Sequence, residues 1–139
     1  MIYIFLPAYN EAIALPRVVK KFSAVLEKMG EPFKFVVLDD GSRDETAGVA
    51  RELSRKFPLE LLRHEVNRGL GETLRDGIEH VARVSKDEDL MVMLDCDDTH
   101  EPQFLPAAVE SCARGMTRSC CRVFVKAAGR GNWLPSARC

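Results

Sequence analysis

Three aspartates and a histidine fall within "LDCDDTH" (94–100), directly after the apolar run "LMVM". Carboxylates crowded this closely repel one another, so the cluster calls for a use. In an extended segment residues i and i+2 point to the same side. Asp95 and Asp97 then converge on one point, and Cys96 turns away into the interior. Two converging carboxylates suit a hard divalent cation such as Mg²⁺ or Mn²⁺, whose remaining positions a phosphate can fill. Asp98 or Thr99 is expected to cap the next helix. His100 either adds a ligand or, as is commoner for a lone histidine, packs in the loop. The plain alternative for the whole stretch is a solvated acidic turn.

Two further clusters weigh against that alternative. "LPAYNEA" (6–12) offers Tyr9 to stack on a flat ring and Glu11 to bond a hydroxyl or amide, with Asn10 placed to cap a helix. "VVLDDGSRDET" (36–46) ends in paired carboxylates, Asp39 and Asp40, and Gly41 permits a sharp turn. One carboxylate can accept a bond from a base or ribose while the other bonds back to the loop. "NRGLGETLRDG" (67–77) lacks the lysine and Ser/Thr of a phosphate loop and the spacing of a dinucleotide fingerprint. Its glycines are therefore expected to serve a tight turn and close helix packing, with Arg68 able to reach a phosphate.

The elements that must position these clusters alternate along the chain. Apolar runs at 2–6, 33–38, 59–63 and 90–94 read as strands, the first ended by Pro7. Helical stretches are expected at about 11–29, 45–56 (capped by Ser42 or Asp44), within 67–84, and at about 103–114. Such alternation implies an α/β fold, a parallel sheet with helices on both faces. Ligands of such sheets sit beyond the carboxyl ends of the strands, near a switch in strand order. "AYNE", "DDGS" and "DCDD" all follow strand ends, which puts three polar clusters on one edge.

Composition sets the limits. The chain has 139 residues and a net charge of −1, with 46% hydrophobic and 29% charged residues. One domain with a sizeable core fits, and the charge balance does not argue for nucleic acid. No apolar run approaches the roughly 20 residues of a membrane span, and the N-terminus lacks a basic n-region. A cytoplasmic protein is the expectation, with reduced thiols, since none of the five cysteines forms a C-x-x-C pair.

In order and spacing, "LPAYNEA", "VVLDDGSRDET", "NRGLGETLRDGI" and "MLDCDDTHEP" resemble the four successive motifs of family 2 glycosyltransferases. The pattern D-x-D-x-x-H-x-P is most similar to the dolichyl- or polyprenyl-phosphate sugar (mannosyl) transferases. The resemblance covers residues 2–114 and implies a GT-A fold. It also implies a GDP- or UDP-sugar donor, a Mg²⁺ or Mn²⁺ ion, and a lipid-phosphate or glycan acceptor, with association at the cytoplasmic face of a membrane through further parts. By position, Pro7, Tyr9 and Glu11 would line the nucleotide pocket with Arg68 nearby. Asp40 would contact base or ribose, and Asp39 would support the loop. Asp95 and Asp97 would hold the metal and carry the catalysis. Thr99 stands where some relatives have a glutamine that also reaches the metal. An acceptor that is already an anion needs no strong base; a sugar hydroxyl would need one, and no candidate base is evident.

Residues 115–139 depart from the pattern, with basic but no acidic residues and four of the five cysteines in the last 28 positions of the chain. The resemblance leads one to expect a segment like D-x-V-x-x-S-R-F-x-x-G-G there, and "CRVFV" (121–125) is the only strand-like stretch. A one-base shift of the codons permits that segment: Met116 joined to Thr117 forces aspartate, and Cys120 joined to Cys121 forces leucine. The domain is therefore expected to end at 114, incomplete at its C-terminus, with an aberrant or disordered tail. The rival reading is an inactive fragment or a module that binds a nucleoside diphosphate without transferring sugar.

Overall fold

The computed structural model describes residues 1–86, 88–113 and 124–127. Four parallel strands carry the fold: β1 (Ile2–Ala8), β2 (Phe33–Asp39), β3 (Leu59–Arg63) and β4 (Leu90–Met93). The helices between and after them are α1 (Leu15–Met29), α2 (Thr46–Leu53), α3 (Leu70–Val84) and α4 (Leu105–Ala113). A fifth strand, β5 (Phe124–Ala127), runs antiparallel to β4, so the sheet is not wholly parallel. The order is β3-β2-β1-β4-β5. The chain builds outward on one side of β1 and then crosses to the other, which makes the β1/β4 boundary the switch point. The rest of residues 115–139, including most of the tail expected to be aberrant, lies outside the described residues.

Both faces of the sheet are covered, which is why its central strands read as unbroken apolar runs. Ile2, Ile4, Leu6, Phe35, Val37 and Val92 point toward α1, α2 and α4, and Phe22 and Leu26 of α1 are fully buried against them. Tyr3, Phe5, Val36, Leu38 and Met91 point the other way, onto α3. There Gly77 lets the helix lie directly on Phe5, since a Cβ at this position would come 2.0 Å from the ring. Close packing is thus the task of this glycine, as expected. Among the described residues no helix is long and apolar enough to cross a membrane.

Several element ends differ from expectation for identifiable reasons. β1 continues through Pro7 to Ala8. Phe5 O bonds to Leu94 N, and Ala8 O to Asp40 N. By alternation Pro7 faces the β4 side, past the last β4 partner, where its missing N–H costs no ladder bond. Helix α1 starts at Leu15 with a proline in its first turn, not at Glu11. Asn10 does not cap it: its backbone is left-handed (φ 57°). Helix α4 begins two residues late, after a single 3-10 turn at Pro102–Phe104.

Candidate functional site

The carboxyl ends of β1, β2 and β4 open on one cleft of about 630 Å³. Pro7, Ala8, Tyr9 and Glu11 form one wall, and Asp95, Cys96 and Asp97 another. Asp40, Asn67, Leu70 and Thr73 close a third side, and Leu74 and Met93 give it an apolar lining. Tyr9 is 41% exposed, with its ring free to receive a flat group. The three polar clusters do share one edge, and the edge lies at the switch in strand order.

The first two loops are latched to each other. Asn10 N donates to Ser42 Oγ (2.9 Å), and Arg43 N donates back to Asn10 Oδ1 (3.0 Å). Glu11 N donates to Thr46 Oγ1 (2.8 Å) and Ala12 N to Asp44 Oδ2 (3.2 Å). Asp44 in turn accepts the Thr46 amide and hydroxyl. The amides that a helix beginning at Glu11 would leave for capping are thus satisfied across the loops. Asn10 tolerates the left-handed conformation better than most residues, and that conformation sets Tyr9 and Glu11 on the cleft side.

The paired aspartates are both engaged inside the protein. Asp39 is fully buried, and its Oδ1 accepts Ser42 N at 3.0 Å. Arg63 Nε lies 3.1 Å from Oδ2 but off the line of a good hydrogen bond, so it serves as a neutralising charge. Asp40 Oδ1 faces His64 Nδ1 at 2.7 Å and accepts Arg68 N at 2.9 Å, while Oδ2 accepts Gly69 N at 2.9 Å. Burial pushes the Asp40 carboxyl up, but the bonds from His64, Arg68, Gly69 and the Thr73 side chain together outweigh it and hold the group below the usual carboxylate range.

The acidic loop is built differently. Thr99 gives both its amide (3.1 Å) and its hydroxyl (2.7 Å) to Asp97 Oδ1. Those bonds, the hydroxyl first, outweigh desolvation and lower the Asp97 carboxyl. Thr99 is not part of the cleft wall; it orients Asp97 and caps no helix. Asp98 caps nothing either: left-handed at φ 59°, it pairs with Lys21 Nζ at 2.8 Å. Cys96 is buried as expected, and burial raises its thiol far above the ordinary range. His100 packs edge-on against Phe104, with Nε2 4.0 Å from Asp95 Oδ2. Across the cleft, burial raises the Glu11 carboxyl, and the charges of Asp97 and Asp44 raise it further. The walls thus carry an excess of negative charge. Among the described residues no three His, Cys, Asp or Glu side chains form a ready-made metal cage.

Of the expected site residues, Pro7, Tyr9, Glu11, Asp40, Asp95 and Asp97 meet at the cleft. Asp39 lies beneath it. Arg68 contributes its amide, and its guanidinium turns to Asp76 Oδ2 at 3.4 Å. Sequence reasoning missed His64, Asp76, Asn67 and Thr46, and it read Ser42 and Asp44 as caps of α2, whose N-cap is Glu45, whereas both latch the first loop. The one available signal was position: His64 follows a strand on the same edge.

Comparison with known proteins follows the same lines. The family model described as "Glycosyl transferase family 2" matches residues 3–138. The chain is 28% identical over 130 residues to dolichol-phosphate mannosyltransferase of Pyrococcus furiosus, covering 94% of this chain and 35% of that protein. It is 30% identical over 114 residues to undecaprenyl-phosphate 4-deoxy-4-formamido-L-arabinose transferase of Shewanella sediminis, covering 81% of this chain and 33% of the relative. The chain therefore spans about a third of the length of the curated relatives it matches. Among solved structures, glucosyl-3-phosphoglycerate synthase of Mycobacterium tuberculosis, in complex with Mn²⁺, UDP-glucose and phosphoglyceric acid, superposes with a TM-score of 0.62 at 26% identity. That match covers 84% of this chain and 41% of the other. The fold is GT-A, and the chain belongs to glycosyl transferase family 2.

Proposed function

We propose that this chain is the donor-binding part of a transferase that moves a sugar from a nucleotide sugar, GDP- or UDP-linked, to a polyprenyl (dolichyl-type) phosphate. The observation that carries the reading is the convergence of Tyr9, Glu11, Asp40, Asp95 and Asp97 on one cleft at the switch in strand order. The relatives named for dolichol and undecaprenyl phosphate support the acceptor class. The Mn²⁺ and UDP-glucose of the synthase structure support the donor and a divalent metal.

The residues fit such a metal. Hard oxygen donors line the wall, and Glu11, raised first by burial and then by the charges of Asp97 and Asp44, lies across from Asp97. Asp95 and Asp97 would hold Mg²⁺ or Mn²⁺, and diphosphate oxygens and water would complete its shell. Bound there, the ion supplies electrostatic stabilisation of the nucleoside diphosphate as negative charge develops on it. Thr99 keeps Asp97 ionised and aimed. Tyr9 offers its ring to the base, and Asp40 at the cleft wall takes a base or ribose hydrogen. Glu11 bonds a donor hydroxyl. A lipid phosphate arrives as an anion and asks for no general base from this wall.

Titration of GDP and UDP, with and without Mn²⁺, tests the site on the wild type and Asp97→Ala. Metal-dependent binding that the substitution abolishes is expected; binding that ignores both sinks the site. A transfer assay with a polyprenyl phosphate acceptor then separates a transferase from a module that only binds the diphosphate. The codon shift read in residues 115–139 belongs to the proposal too. Sequencing the gene disposes of it if no single-base change restores the expected segment.

A further inference from the structure

We propose that His64 is a positioning residue of the donor side of the cleft. Its ring, set between Asp40 and Asp76, holds Asp40 and, through Asp40, the Arg68–Gly69 backbone, so that binding of the diphosphate depends on it. The inference rests on the reading that the cleft takes a nucleoside diphosphate.

His64 follows β3 and is 9% exposed. Its amide donates to Asp39 O at 2.9 Å, which fixes the backbone. The ring sits between two carboxylates, with Nδ1 2.7 Å from Asp40 Oδ1 and Nε2 3.1 Å from Asp76 Oδ2. A carboxylate only accepts, and a neutral imidazole has one donor and one acceptor. The neutral ring therefore makes one of these bonds and turns a lone pair toward the other carboxylate. The imidazolium makes both. The surrounding charges are Asp39 and Asp40 at the end of β2, Arg63 on β3, Arg68 in the loop, and Glu72, Arg75 and Asp76 on α3. Arg63 compensates Asp39, Arg75 pairs with Glu72 and reaches Asp76, and Arg68 also reaches Asp76.

What the ring holds forms part of the cleft. Asn67 and Leu70, either side of Arg68–Gly69, line it. The loop rests on Gly41, where a Cβ would come 2.5 Å from Asn67 N, so its seat is tight. Asp40 is the side chain that fastens it, through the two amides of Arg68 and Gly69. Without the ring, Asp40 loses this partner and the fastening loosens.

The test uses the chain as it stands, with GDP and UDP as probes in the presence of Mn²⁺. In the ligand-free protein, amide hydrogen-exchange protection of Arg68 and Gly69 is read alongside. His64→Ala should lower both protection and affinity about tenfold, the worth of one hydrogen bond to a charged group. His64→Phe fills the space without a donor and should show the same loss, and this variant carries the test if His64→Ala fails to fold. Asp76→Ala leaves the bond from the ring to Asp40 in place and should keep both readings. The proposal is overturned if a folded His64→Ala or His64→Phe matches the wild type in either reading. A wild type that binds neither diphosphate removes the nucleotide reading, and with it the donor-side role. The exchange data still show separately whether His64 governs the loop.

Discussion

The two sides of the cleft are held in opposite ways. On the β1–β2 side, loop bonds cross between segments distant in sequence: Asn10 to Ser42 and Arg43, Glu11 to Thr46, Asp40 to His64, Arg68 and Gly69. On the β4 side, Asp97 is held by a neighbour two residues away, and the half-buried Asp98 pairs with Lys21. The first side is a framework whose polar groups are spent on one another, which on the proposed reading preorganises it for a nucleoside. The second aims Asp97 from within its own loop, and on the proposed reading a cation and its diphosphate complete it. Substitutions should therefore cost stability on the first side and binding on the second.

Asp40→Ala breaks this contrast most severely. It strands the buried His64 and two amides, and should cost about 3 kcal/mol of folding stability, measured by denaturant titration. Asp97→Ala should leave the unfolding midpoint nearly unchanged while weakening metal-dependent diphosphate binding by about a hundredfold, near 2.8 kcal/mol at 1.4 kcal/mol per decade. An equal loss of stability in the two variants would erase the distinction between the sides.

Asn10→Ala sharpens the comparison at smaller scale. Losing the bond to Arg43 N, with a poorer left-handed residue in place, should cost about 1–2 kcal/mol and raise the Kd for diphosphate several-fold by misplacing Tyr9. Acid offers a reading without mutation. Asp40 and Asp44 have folded values below the ordinary 3.8, so their contribution is present above about pH 4 and is lost as pH falls through the folded values. Thermal melts should show stability declining below about pH 4, and Asp40→Asn should decline less steeply. Lys21→Ala is the mildest: no measurable change in melting temperature, with faster amide exchange confined to residues 98–101.

Much of the scaffold was legible in the sequence. The four parallel strands and the helices between them came from apolar runs and periodicity, because strands buried on both faces leave little choice of residue. β5 was legible only as a strand-like stretch, because antiparallel pairing on β4 has no local signature. The start of α1 was misplaced because Asn10 was read as a local cap, whereas its partners lie 32 and 33 residues away. His64 was missed for the same reason, with partners 24 and 12 residues distant.

By itself, the sequence determined that three polar clusters end three strands of one sheet, and hence that they share an edge. Chain direction in a parallel sheet enforces that, whatever the side chains do. Only the tertiary structure decided which carboxylates on that edge are spent. Asp39 and Asp40 lie side by side in "DDGS", yet Asp39 is sealed against Arg63 and Asp40 anchors a loop at the cleft wall. Asp95 and Asp97 remain at the cleft. A carboxylate's role depends on the donors that reach it, and those donors come from distant parts of the chain.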